Sequence, residues 1–278
     1  MRAKSIILNL LICLSINLFG QELTRDFTLI KVEDGNEYLG TILEENEDFL
    51  TMKTKTFAEL KIKKSAIKSR EVVNSDQLHE GEYWFENPNA TRNLFGPTGY
   101  GLRKGEGYYQ NFLLAYNSVS YGFTDNFTLG VGLIPVIIDD AFFYSITPKV
   151  SIPVQENKLN IGGGLLFMGV AGEHFGIAYG VTTIGSRDKN FSFGLGYGFA
   201  DGELADRPTI TLSGMIRISK KFAFVTENWI LSDFFLLTYG GRLIFEGISV
   251  DIGFANSGDT GLFLGIPIAG ITVPFGNR

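Results

Sequence analysis

Phe191-Ser192-Phe193-Gly194-Leu195-Gly196-Tyr197-Gly198-Phe199-Ala200 alternates a large apolar residue with a small one at every step. Successive side chains of a β-strand point to opposite faces, so one face of this segment is aromatic or aliphatic and the other is Ser, Gly and Ala. Arg207 to Ser219 repeats the pattern. Pro208, Ile210, Leu212, Gly214, Ile216 and Ile218 share one face, and Thr209, Thr211, Ser213, Met215, Arg217 and Ser219 share the other. Between Phe143 and Val154, Tyr144, Ile146, Val150 and Ile152 oppose Ser145, Thr147, Lys149 and Ser151. A period of two held over about ten residues has the length of a tilted strand crossing a bilayer, one face to lipid and the other to a lumen.

The composition agrees with that reading. Thirty of the 34 glycines and nineteen of the 24 phenylalanines lie beyond Arg92, where no apolar run is long enough for a helical span. Glycines on the inner face suit a narrow lumen crowded by its neighbours. Charge is uneven too: 24 of the 66 residues from Gln21 to Glu86 are charged, against 28 of the 192 that follow. A shift of that size marks two different solvents.

Residues 1–20 read as a secretory signal, with Arg2 and Lys4 ahead of an apolar run and a small Gly20 before polar Gln21. The only cysteine, Cys13, falls inside that run, so cleavage leaves a chain with no disulfide and no thiolate metal site. A lipoprotein reading would acylate Cys13, but Ile12 before it is not small. A net charge of −6 and a pI near 5.1 argue against a nucleic-acid binder.

Residues 21–73 form a first domain of short strands: Phe27–Lys31, Glu37–Leu43, Phe49–Lys53, Leu60–Lys63 and Ile67-Lys68, with a turn at Asp34-Gly35. Gly40 within a strand indicates a sharp bend or bulge. With the pattern Asp34-Gly35-x-x-Tyr38-x-Gly40-x-Ile42, these residues resemble the SH3-like or Sm-like small barrels over about fifty residues. Sm-like relatives imply RNA, and Lys61, Lys63, Lys64, Lys68 and Arg70 make a basic run. Lysines along an edge strand equally keep that edge unpaired. No nucleic-acid partner is expected for an exported domain; a periplasmic interaction module or a plug is. Residues 74–92, with Asn87-Pro88-Asn89, read as a linker.

Residues 93–278 carry the membrane strands. Tyr121 to Gly130, turning at Thr124-Asp125-Asn126, resembles the short periplasmic hairpins of outer-membrane barrels. With that turn periplasmic, Tyr108–Gly122 runs downward and an upward strand must precede it at Asn93–Leu102. Further strands follow near 127–136, 141–154, 159–171, 174–185, 190–200, 207–219, 222–230, 233–245, 248–255 and 260–275. The total is twelve, even as single-chain bacterial barrels require, with ten as the competitor because the first and last segments contain proline. The expected fold class is thus all-β, an antiparallel transmembrane barrel of about twelve strands behind a small SH3-like domain. The chain resembles Gram-negative outer-membrane β-barrel proteins over about two-thirds of its length. That resemblance implies insertion by the barrel-assembly machinery and contact with outer-membrane lipid and lipopolysaccharide. The usual aromatic final residue is absent; the chain ends Phe275-Gly276-Asn277-Arg278.

A two-residue turn at Glu246-Gly247 places Arg242 opposite Asp251 on the polar faces of their strands, a pair that fixes register. Lys149, Arg217, Glu227, Arg242 and Asp251 are the lumen-lining candidates. They either line a polar path or form an ionic plug that seals a barrel too small to conduct.

Catalytic chemistry is sparse. Histidines occur at His79 in the linker and His174, which follows Glu173 in an expected outer loop. Asp139-Asp140, Glu173-His174 and Asp201 to Asp206 would meet at an outer rim, yet no serine sits in a nucleophile motif. Gly162-Gly163-Gly164 lacks the Lys-Ser/Thr of a phosphate loop. No cofactor and no catalytic residue is expected. The readings are a non-enzymatic outer-membrane barrel, either a narrow pore for small solutes or a structural barrel with a periplasmic interaction module; an outer-rim hydrolase; or a soluble exported β-sandwich with the opposite sense of inside and outside.

Overall fold

A computed structural model of the chain describes residues 27–74, 77–138, 141–232, 234–257 and 264–276, with 136–138 and 141 as backbone alone. The expected signal segment 1–20, Cys13 and Asp139-Asp140 lie outside the described residues. The chain divides into two units between Trp84 and Phe85.

In the first unit, β1 (Phe27–Val32), β2 (Glu37–Glu45), β3 (Phe49–Thr54), β4 (Leu60–Lys63) and β5 (Ile67–Val73) form one antiparallel sheet in the order β4-β3-β2-β1-β5. The β1–β2 turn is closed by the Asn36 amide donating to Asp34 Oδ1 at 2.9 Å, with Gly35 at φ 87°. Alternate residues turn inward, so Ile30, Val32, Leu50, Met52 and Ile62 make an apolar core with Tyr38, Ile42, Leu60 and Ile67 packed on it. Gly40 is there for room: a Cβ would stand 2.0 Å from the Lys53 carbonyl oxygen. The bulge itself falls between Ile42 and Glu44. Two of the five basic-run cations, Lys64 and Arg70, bind Glu45 at 2.9 and 3.0 Å. The pairs β6 (Leu78–His79) and β7 (Glu82–Tyr83) make a small hairpin, with the His79 ring stacked 3.9 Å from Trp84.

The second unit is a closed antiparallel barrel of twelve strands. They are β8 (Glu106–Phe112), β9 (Tyr116–Gly122), β10 (Phe127–Ile138), β11 (Ala141–Gln155), β12 (Leu159–Val170), β13 (Glu173–Gly185), β14 (Lys189–Ala200), β15 (Glu203–Ser219), β16 (Phe222–Leu231), β17 (Phe234–Ile244), β18 (Ser249–Asn256) and β19 (Ile266–Gly276). Closure joins β19 to β8, with Gly276 opposite Glu106. The end holding Glu106 and Gly276 is called proximal and the opposite end distal.

Two of the expected strands are corrected. Asn93–Leu102 forms no strand in the wall. Tyr108–Gly122 is not one strand but the hairpin β8–β9, reversed at Leu113 and Leu114, whose φ angles are 54° and 61°. The first error removes a strand and the second adds one, so the count stays at twelve. Leu113-Leu114 lacks the glycine or asparagine that usually marks a left-handed turn, which is why the sequence did not announce it.

Along the wall the alternation puts apolar residues outside. Ile146, Ile152, Leu195, Phe193, Phe224 and Ile252 are exposed, whereas Ser120, Ser145, Ser151, Thr183, Ser192, Ser213 and Thr272 are buried. A soluble sandwich has the inverse arrangement, and that alternative is overturned by this closed, apolar-coated wall.

Candidate functional site

Residues 86–105 run into the lumen. Backbone inside a barrel needs partners for every amide and carbonyl, and here neither a strand neighbour nor a helix supplies them. The segment makes a short reversal of its own: the Asn93 amide donates to Gly96 O at 3.0 Å, the Thr98 amide to Thr91 O at 3.1 Å, and Arg92 bridges Pro97. Other groups bond the segment's own side chains, as the Asn89 amide does Asn87 Oδ1 at 3.0 Å, or inward side chains of the wall. The stretch expected as the end of a linker, 87–92, and the first expected strand therefore form one buried segment. Asn87, Asn89, Arg92, Asn93 and Thr98 are all buried.

Glu227 on β16 holds the tip. Its Oε2 accepts the amides of Leu94, Phe95 and Gly96 at 2.9, 3.0 and 2.9 Å, and its Oε1 accepts Trp229 Nε1 at 2.9 Å. Three consecutive amides converging on one oxygen form an anion nest, each bond charge-assisted and contributing about 1.5–3 kcal/mol. Such packing needs close approach: a Cβ on Gly96 would lie 2.8 Å from the Trp229 ring. Gly99 is as tight, with a Cβ falling 2.4 Å from Asn160 O, and its amide donates to Thr183 Oγ1 at 2.7 Å.

Arg242 on β17 and Asp251 on β18 are direct cross-strand partners, joined at 2.5 and 3.0 Å by a two-point contact. Arg242 also donates to Asn93 O. Arg92, from the segment, reaches Asp251 at 3.5 Å, donates to Leu94 O at 2.9 Å and binds Thr272 Oγ1. Lys149 on β11 donates to Thr91 O at 3.1 Å and to Tyr100 O. Arg217 on β15 donates to Phe85 O at 2.8 Å, pairs with Asp188 at 3.0 Å and lies over the Phe85 ring. At the proximal mouth Glu86 binds Arg103 at 2.6 Å and Arg187 at 3.1 Å.

All five lumen candidates thus point inward and are buried; four contact the inserted segment, and Arg217 contacts Phe85 just ahead of it. What sequence reasoning missed is the segment itself. Its signal was a run of Asn, Thr and Gly around Arg92, with no apolar alternation to give it a lipid face.

The distal half of the lumen differs. Phe95 at the tip of the segment, Phe112, Tyr116, Phe143, Leu166 and Met168 line an apolar vestibule of about 250 Å³. Phe95 lies 5.9 Å from Phe112 and 5.8 Å from Tyr116 between ring centroids. At the distal rim the His174 amide donates to Asp201 Oδ1 at 3.0 Å and the Asp201 amide to His174 O at 2.8 Å, contacts that tie two neighbouring turns together. Asp206 is exposed.

No family profile and no curated protein matches the chain. Among solved structures, a KdgM porin in complex with disordered oligogalacturonate is similar at 8% identity and a TM-score of 0.46, covering 63% of this chain and 99% of that one. A second KdgM porin structure gives 9% identity and a TM-score of 0.47, covering 62% and 99%. OmpTdeltaL8, a loop L8 deletion mutant of an outer membrane protein of Vibrio cholerae, gives 12% and 0.31, covering 90% and 96%.

Proposed function

We propose that the protein is a non-enzymatic outer-membrane β-barrel whose lumen is closed by its own residues 86–105, the proximal end facing the periplasm. Residues 27–73 would then serve as a periplasmic interaction module of SH3-like or Sm-like kind; five antiparallel strands around a small apolar core support that reading. The observation that carries the closed lumen is Glu227 capturing three consecutive amides of the inserted segment. In the closed state the buried charges have protein partners. Withdrawal of the segment exposes them, and only water entering the lumen can replace those bonds. A small-solute pore is therefore the open state of the same barrel, and its polar wall is the one that now grips the plug.

Purified protein that shifts on heating in gel electrophoresis, placed in planar bilayers, tests this. The wild type is expected to be silent, and deletion of residues 87–100 to give stepwise conductance with the heat shift retained. Steady conductance in the wild type equal to that of the deletion variant would overturn closure. His174→Ala is expected to change neither measurement.

A further inference from the structure

Among the described residues, the barrel unit buries four cations, Arg92, Lys149, Arg217 and Arg242, against two carboxylates, Glu227 and Asp251. Arg217 has Asp188 at 3.0 Å, and Arg242 has Asp251. Glu227 is held by amides and an indole. Arg92 shares Asp251 with Arg242 at the longer distance of 3.5 Å. Lys149 is bound by two carbonyl oxygens, Thr91 O and Tyr100 O, which offer dipoles but no countercharge. A buried cation without an opposite charge is costly by several kcal/mol, so this imbalance needs an answer.

The seam between plug and wall holds one. Arg92 Nε and Thr91 Oγ1 are buried with no protein partner. Both residues border, with Lys149, a cavity of about 70 Å³ whose wall also carries the hydroxyl residues Ser118, Ser120 and Thr128. Two cationic side chains and several hydroxyl residues line a space that no carboxylate residue lines. A water needs about 10–15 Å³ of space measured this way, so the cavity has room for a small inorganic ion together with some of its water. A water there would satisfy hydrogen bonds and leave the charge unanswered.

We propose that this cavity is a binding site for a small monovalent inorganic anion of halide size, held between Lys149 of the wall and Arg92 of the inserted segment. The ion bridges the two, and so it strengthens the seam. The site rests on the geometry of the seam and holds whether or not the barrel ever conducts.

The test uses the full chain in detergent. Crystals grown in bromide are expected to show one anomalous peak in the cavity. The midpoint of the heat-dependent gel shift is expected to rise with chloride to a plateau when chloride replaces gluconate at constant ionic strength. Lys149→Met keeps the stem and loses the charge; it is expected to lose both the peak and the chloride dependence while still showing a heat shift. No bromide peak in the wild type, or equal midpoints in chloride and gluconate, would mean a cavity filled by water alone and would overturn the site. Both wild-type measurements decide the matter even if the variant fails to fold.

Discussion

The five-stranded sheet and the barrel wall use the same two-residue alternation with opposite results. In the sheet, Ile30, Leu50 and Met52 are buried and lysines face out. In the barrel, Leu195, Ile152 and Phe193 face out while Arg242, Glu227 and Thr183 are buried. A strand sorts its side chains into two faces, and the surroundings choose which face is inside. The sheet follows water, where apolar area is driven into a core. The barrel follows lipid, where the apolar face costs nothing outside and the polar face must find partners within. Here those partners are a piece of the same chain.

The largest effect that would sharpen this contrast is expected from Arg242→Met. It leaves Asp251 buried with only the 3.5 Å contact to Arg92, and removing one member of a buried pair costs about 3–5 kcal/mol. The heat-shift midpoint of the barrel should fall, while limited proteolysis within residues 27–73 stays as in the wild type.

Next comes one truncation made on both sides of the comparison. Leu50→Ala opens a cavity in a water-soluble core at a cost of about 2–5 kcal/mol, seen as faster proteolysis of the first unit. Leu195→Ala faces lipid chains that close over the missing atoms, and its effect on the heat shift should be much smaller. Equal costs at the two positions would break the comparison, because it would mean that Leu195 packs against protein.

The smallest effect is electrostatic. Bonds from Lys64 and then Arg70 hold the exposed Glu45 carboxyl below the usual glutamate range. A depressed folded value means the contribution is present above the unfolded value of about 4.3 and is lost as pH falls through the lower folded one. Wild type and Glu45→Gln should therefore differ slightly in urea unfolding of the first unit at pH 7 and converge at acid pH. A gap that persists in acid would show that Glu45 acts through packing.

Nine of the barrel strands, β10 to β18, stood in the sequence within four residues of their observed ends, because each carries its own alternation; β19 was expected from 260 and begins at Ile266, with 260–263 outside the described residues. The pairing of Arg242 with Asp251 was legible for the same reason: a tight turn fixes register over the few residues beside it. The β8–β9 reversal was not legible, since Leu113-Leu114 spells no turn. The five inward candidates were found by their polar place on apolar-patterned strands, but their partners were not.

By itself the sequence determined most of the barrel strands, their two faces and the change of solvent near residue 86, all properties of period two and local composition. Only the tertiary structure decided that residues 86–105 enter the lumen. Leu94 meets Glu227 across 133 positions and Arg92 meets Thr272 across 180. Such contacts exist only once the sheet has closed, when a polar wall with buried charges makes an inserted backbone a source of donors and acceptors.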